Sequence, residues 1–97
     1  MAILHIIRQS AFNSSDLEQC SKLATKVDTI VLIDDACYNV THPLIKHIVD
    51  QLPGIAIKIM HSHAQARAIS IVKPITAIAM NDLIDLTFSH EKVITWQ

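Results

Sequence analysis

Short β-branched apolar runs recur along this chain, separated by amphipathic segments of helical period, and that alternation leaves few folds open. The runs are Ala2 to Arg8, Thr29 to Ile33, Ile55 to Met60 and Ile75 to Met80, with a last candidate at Lys92 to Trp96. Ile30, Val31, Leu32 and Ile33 form an unbroken apolar stretch, which suits a strand covered on both faces rather than a half-wet one. The intervening segments read as helices. Ser14 or Ser15 is placed to cap a helix from Asp16 to about Lys26, with Asp16 and Glu18 near its positive end and Leu17, Cys20, Leu23 and Ala24 as its apolar stripe. Thr41 can cap a second helix opened by His42-Pro43, with Leu44, Ile45, Ile48, Val49 and Leu52 inward and Pro53-Gly54 at its end. A short helix from His61 to Ile71 is broken by Lys73-Pro74. Asn81-Asp82 opens a fourth, with Leu83, Ile84, Leu86 and Phe88 on its apolar side.

Strands alternating with helices predict an α/β fold: a single three-layer α/β/α domain spanning 1–97, with a mostly parallel sheet of about five strands. The pattern leaves the direction of the last strand open. One Gly and three Pro leave no flexible linker.

Composition narrows the function. Half the residues (51%) are apolar and only 18% are charged, against about 25% in ordinary soluble domains. A core of this size does not need so much apolar surface, so subunit interfaces are expected. Eight basic and nine acidic residues are scattered, and no basic cluster could neutralise a run of phosphates, so direct nucleic-acid binding is not expected. No Gly-rich phosphate loop exists, since Gly54 is the only glycine, and no cofactor is expected. No apolar run approaches the ~20 residues of a membrane span, and no basic-then-apolar segment opens the chain. Two cysteines make no disulfide framework, and a reducing cytoplasm is the expected setting.

Cys20 is the sharpest chemical candidate. A persulfide carrier needs a thiolate that attacks a sulfur donor and passes the terminal sulfur on, which requires exposure and a lowered pKa. The competing reading is a buried core cysteine beside Leu17 and Ala24. Cys37 follows Asp34-Asp35, whose charges should weaken it as a nucleophile. The Asp pair itself reads as turn and cap chemistry. His42, His47, His61, His63 and His90 lack metal-ligand spacing and read as solvated. Trp96, beside the C-terminus, is expected to pack on its own sheet edge or into a neighbouring subunit.

Several stretches carry a resemblance: Leu4-His5 with Ser10, the first-helix segment Asp16 to Ala24, Ala66-Arg67, Asp82-Leu83-Ile84-Asp85-Leu86-Thr87 and the terminal Trp96. Together with the length and element order they resemble the TusB/DsrH family of sulfur-relay subunits, within the DsrE/F/H-like superfamily. Two positions depart from it: Ala11 where the family favours Pro, and Ala68 where it favours Gly, so that a tight helix end there is expected to be lost. The resemblance implies a cytoplasmic persulfide-transfer complex of three related small α/β proteins in a heterohexamer. The implied partners are TusC-like and TusD-like subunits, a sulfur donor protein and a downstream TusE-like acceptor. The implied role is an accessory subunit of the complex for 2-thiolation of wobble uridine in tRNA, with the main transfer cysteine on the TusD-like partner. The alternatives are a DsrH-type subunit in sulfur oxidation, a branch in which a cysteine at the position of Cys20 is a proposed sulfur acceptor, or a structural homo-oligomer without sulfur chemistry.

Overall fold

The computed structural model describes residues 2–97. Five strands form one sheet: β1 (Ile3–Ile7), β2 (Thr29–Leu32), β3 (Ala56–Met60), β4 (Thr76–Ile78) and β5 (Lys92–Trp96). Their order across the sheet is β4-β3-β2-β1-β5 and every pairing is parallel, the last strand included. The helices are α1 (Asp16–Leu23), α2 (Pro43–Gln51), α3 (His61–Ala66) and α4 (Met80–Ser89), with a 3-10 helix at Asp34–Thr41.

Crossovers between parallel strands are right-handed almost without exception. From β1 through β4 each crossover steps in one direction, so α1, α2 and α3 cover the same face. The step from β4 to β5 runs back across the whole sheet, which sends α4 to the opposite face. Burial follows this division. Ile7, Ile30, Leu32, Ile57 and Ile59 pack under Leu17, Cys20, Ile45, Ile48 and Ala64 in the larger core. Leu4, Val31 and Ile78 meet Leu83 and Leu86 of α4 in a smaller one. The two-sided run at β2 is buried at every position, as its composition requires.

Several local expectations are corrected. Helix α1 stops at Leu23 rather than near Lys26, because the Asp28 carboxylate accepts the Thr25 N–H (3.0 Å) and turns the chain. Leu23 is 52% exposed and off the apolar stripe. Neither serine caps α1 in the expected way: the Ser14 hydroxyl accepts from the Asp16 N–H (3.3 Å), and Ser15, at the cap position, makes no capping bond. At α2 the cap is His42, not Thr41; its Nδ1 accepts from the Leu44 N–H at 3.0 Å. The short α3 ends at Ala66, five residues early, yet its tight end survives without glycine: Ala68 adopts φ 53°, and Ile69 N–H reaches the Ala64 carbonyl (3.0 Å). On α4, Ile84 and Phe88 face solvent while Leu83 and Leu86 pack inward.

Candidate functional site

Two groups of residues are organised enough to carry function, one inside the larger core and one at the carboxyl ends of the strands.

The first is built on His5 and Asp28. His5 interrupts the apolar β1 and is fully buried. The indole N–H of Trp96 on the neighbouring β5 donates to its Nδ1 (3.2 Å). An indole nitrogen only donates, so Nδ1 holds a lone pair and the ring proton sits on Nε2. That N–H donates to Asp28 Oδ2 at 2.9 Å. The Asp28 carboxylate also accepts from the Ile3 N–H (3.0 Å), the Thr25 N–H (3.0 Å) and the Thr25 hydroxyl (3.2 Å). Burial works against its charge, but the bonds from His5, Ile3 and Thr25 outweigh it and hold the carboxyl below its usual range. The network ties β1, the turn before β2 and β5 together, and leaves none of its members unpaired.

Cys20 lies beside this network, with its side chain sealed in the larger core. Burial, reinforced by the negative charge of Asp28, pushes its thiol up to about 12. A thiol so placed is protonated and out of reach in the closed fold. Cys37 is sealed too, on the inner side of the 3-10 helix, its thiol 3.9 Å from the Leu32 carbonyl. Burial raises it to about 11; Arg67 works in the opposite direction, and Asp34 and Asp35 add to the rise.

The second group lies where open α/β sheets place their ligands. Asp34, just beyond β2, adopts φ 50° and its N–H donates to His63 Nδ1 (3.0 Å). Arg8 from the end of β1 pairs with Asp34 (3.2 Å) and reaches the Gln97 side chain (3.2 Å). Arg67 pairs with Asp35 (3.2 Å) and donates to the His63 carbonyl (3.2 Å). The cations here are already matched by carboxylates, and the nearest thiol, Cys37, is buried beneath. The arrangement can orient loops and meet a polar partner surface, but it offers no open nucleophile. Buried Asn39 fixes the loop after β1, accepting from the Ala11 N–H (2.6 Å) and donating to the Gln9 carbonyl (3.3 Å). Proline at position 11 would lack that N–H, so Ala11 and Asn39 form a matched pair.

Trp96, singled out for its place near the C-terminus, is half-buried on β5 at the sheet edge and packs against the larger core. Trp96 is linked to the surroundings of Cys20 through two residues, His5 and Asp28, positions that the periodic pattern does not single out: Trp96 bonds His5, His5 bonds Asp28, and the Asp28 charge acts on the Cys20 thiol. The signal was present: a lone histidine inside an apolar strand, and an aspartate directly before another. Of the other histidines, His47 and His61 are exposed, as expected, whereas His42, His63 and His90 are held by local bonds. His42 caps α2, and His90 donates to the Leu86 carbonyl (2.8 Å) while its Nε2 meets the Thr29 hydroxyl (2.9 Å). Among the described residues no three His, Cys, Asp or Glu side chains converge as metal ligands, and no helix is long and apolar enough to cross a membrane.

No curated protein sequence matches the chain. Among solved structures, the crystal structure of the ychN protein from E. coli superposes with a TM-score of 0.78 at 18% identity, over 99% of this chain and 100% of that one, which places the two in one fold. A family profile described as "DsrH like protein" matches residues 9–93, nearly the whole length, and this protein therefore belongs to the DsrH-like family.

Proposed function

We propose that this protein is a subunit of a cytoplasmic sulfur-relay complex, acting mainly as a scaffold for the subunits that carry the persulfide. Membership of the DsrH-like family supports the sulfur-relay assignment. The scaffold role is carried by one observation: both thiols are sealed in the core with raised pKa values, while α4 keeps large apolar side chains in solvent. The complex proposed is of the TusBCD type, with TusC-like and TusD-like partners, feeding a TusE-like acceptor for 2-thiolation of wobble uridine. Trp96, at the open edge of the sheet, is proposed to contact a partner subunit as well as His5.

The presence of Cys20 favours a second reading, the DsrH-type subunit of sulfur oxidation. There the Cys20 thiolate would attack the terminal sulfur of a donor persulfide, gain that sulfur as its own persulfide and release the donor's thiolate. In this fold the step requires α1 to lift first.

The test is the content of 2-thiouridine in wobble-position tRNA from cells lacking the chain, with wild-type and Cys20→Ala forms restored separately. Loss of the thiolated base rescued by both forms is the expected result. Rescue by the wild type alone, with the variant accumulating normally, makes Cys20 the carrier. An unchanged 2-thiouridine content removes the tRNA role.

A further inference from the structure

Helix α1 is the lid over Cys20, and it is held down unevenly. It is eight residues long, too short to stand as an isolated helix. Its grip on the sheet comes from Leu17, Cys20 and the adjoining Ala24. Ser15, at its start, makes no capping bond. Its far end is fixed by a line of side-chain bonds that begins on the edge strand β5. The Trp96 indole N–H donates to His5 Nδ1 (3.2 Å), and His5 Nε2–H donates to Asp28 Oδ2 (2.9 Å). The same Asp28 oxygen accepts the Thr25 N–H (3.0 Å), and Asp28 Oδ1 accepts the Thr25 hydroxyl (3.2 Å). Thr25 follows Ala24, whose own N–H closes the last turn of α1 on the Cys20 carbonyl (2.8 Å). The bonds therefore run from Trp96 to the residue just after the helix cap.

Burial makes this line act as one unit. His5 and Asp28 are 0% and 2% exposed. Helix α1 packs on β1 and β5, the strands that carry His5 and Trp96, and so helps to keep water from both. Lifting α1 brings water to a carboxylate whose charge burial opposes, and a hydrated carboxylate no longer depends on the His5 N–H. Bonds that support one another in a dry interior lose their advantage together in a wet one. Coupling of this kind is reciprocal. Drawing Trp96 off His5 makes α1 easier to lift by as much as lifting α1 loosens Trp96. The smaller core has no part in it: Leu86 packs with Leu4, Val31 and Ile78 on the other face of the sheet.

We infer that Trp96 is the latch of the Cys20 lid: through His5, Asp28 and Thr25 it holds α1 over the thiol, and its release opens the thiol to reagents in solution while the rest of the fold stays intact. The latch governs access alone, so it goes beyond the proposed function and stands whether the chain serves as a scaffold or carries sulfur on Cys20.

The test is the rate of maleimide labelling at Cys20 in the folded full chain, mapped by mass spectrometry, with the thermal transition of each variant recorded. Trp96→Phe removes the donor. Benzothienylalanine at position 96 keeps the shape of the ring and lacks only the N–H, and it serves where the phenylalanine variant does not fold. Leu86→Ala is the control, since it weakens the fold from the other face and leaves the latch whole. Either replacement of Trp96 is expected to speed Cys20 labelling at least about fivefold, as the loss of one buried hydrogen bond implies. Leu86→Ala should leave the rate within about twofold, because local opening does not break the contacts of Leu86. A Cys20 rate that neither replacement of Trp96 changes overturns the latch. An equal acceleration by Leu86→Ala means that the thiol is reached through unfolding of the whole chain, and overturns it as well. Both results are independent of the 2-thiouridine content that tests the proposed function.

Discussion

The sealed state of Cys20 yields a rate that can be worked out and measured. At pH 8 a thiol with the ordinary value of 9.0 is roughly one-tenth thiolate, whereas one pushed up to about 12 is thiolate in only about one molecule in ten thousand. A more basic thiolate is the better nucleophile, with a Brønsted slope of about 0.4–0.5, which returns all but roughly 30–60-fold of that thousandfold loss. Ionisation alone is therefore a moderate barrier, and access is the larger one. The side chain has no exposed surface, so a reagent must wait until α1 peels away from the sheet. Peeling uncovers Leu17, Cys20 and Ala24, which costs about 4 kcal/mol in lost apolar burial and leaves about one molecule in a thousand open. Labelling with a maleimide at pH 8, mapped to each cysteine by mass spectrometry, should thus be about a thousandfold slower at Cys20 in the native chain than in urea. Labelling at Cys20 within tenfold of the unfolded rate, with the thermal transition intact, would refute both the packing and the scaffold argument built on it.

Two other perturbations are expected to read out the polar core and the strained backbone. Asp28→Ala leaves His5 Nε2–H and the Ile3 and Thr25 amides without their buried acceptor, and should cost about 3–5 kcal/mol, lowering the melting temperature by more than about 10 °C. Because the folded carboxyl is held below its ordinary 3.8, its contribution is present above that value and is lost as pH falls through the lower folded one. The gap between wild type and Asp28→Asn in urea melts should accordingly be constant from pH 7 to 5 and narrow only below about pH 4. Ala68→Gly should raise stability by about 0.5–1 kcal/mol in the same assay, since an exposed alanine at φ 53° holds a conformation that glycine adopts without strain.

Which parts of this fold are legible in sequence depends on whether the signal is periodic. The strands are runs of one chemical type, and the two-sided burial of β2 follows from Ile30-Val31-Leu32 alone. The parallel direction of β5 is not written in its own residues, because an edge strand with alternating Val93, Ile94, Thr95 and Trp96 serves either direction. It is settled by the length of α4 and the return across the sheet. The 3-10 helix is not legible because Asp34-Asp35 reads as a stop, although Cys37 and Val40, one 3-10 turn apart, are both buried. Its role is to place Asn39 under the loop after β1, a contact between residues far apart in sequence and therefore invisible to any local pattern. The same holds for Cys20. Its stripe reads as buried, but the charge that adds to burial in raising its thiol, that of Asp28, comes from the turn that ends α1 early.

The apolar excess is the point at which composition and structure answer each other. Composition says only that the chain is greasier than its core needs. The topology says where the excess must go. Three crossovers in one direction crowd one sheet face with α1, α2, α3 and the 3-10 helix, and the single return crossover leaves the other face to α4 alone. One helix is about 10 Å wide with its side chains, while five strands at about 4.8 Å spacing span roughly twice that. A lone α4 therefore cannot cover the whole of that sheet face. The stripe at Met80, Ile84 and Phe88 is where part of the compositional excess sits, in solvent. The buried thiols of Cys20 and Cys37 fit the proposed scaffold role, in which the reactive sulfur belongs to another subunit.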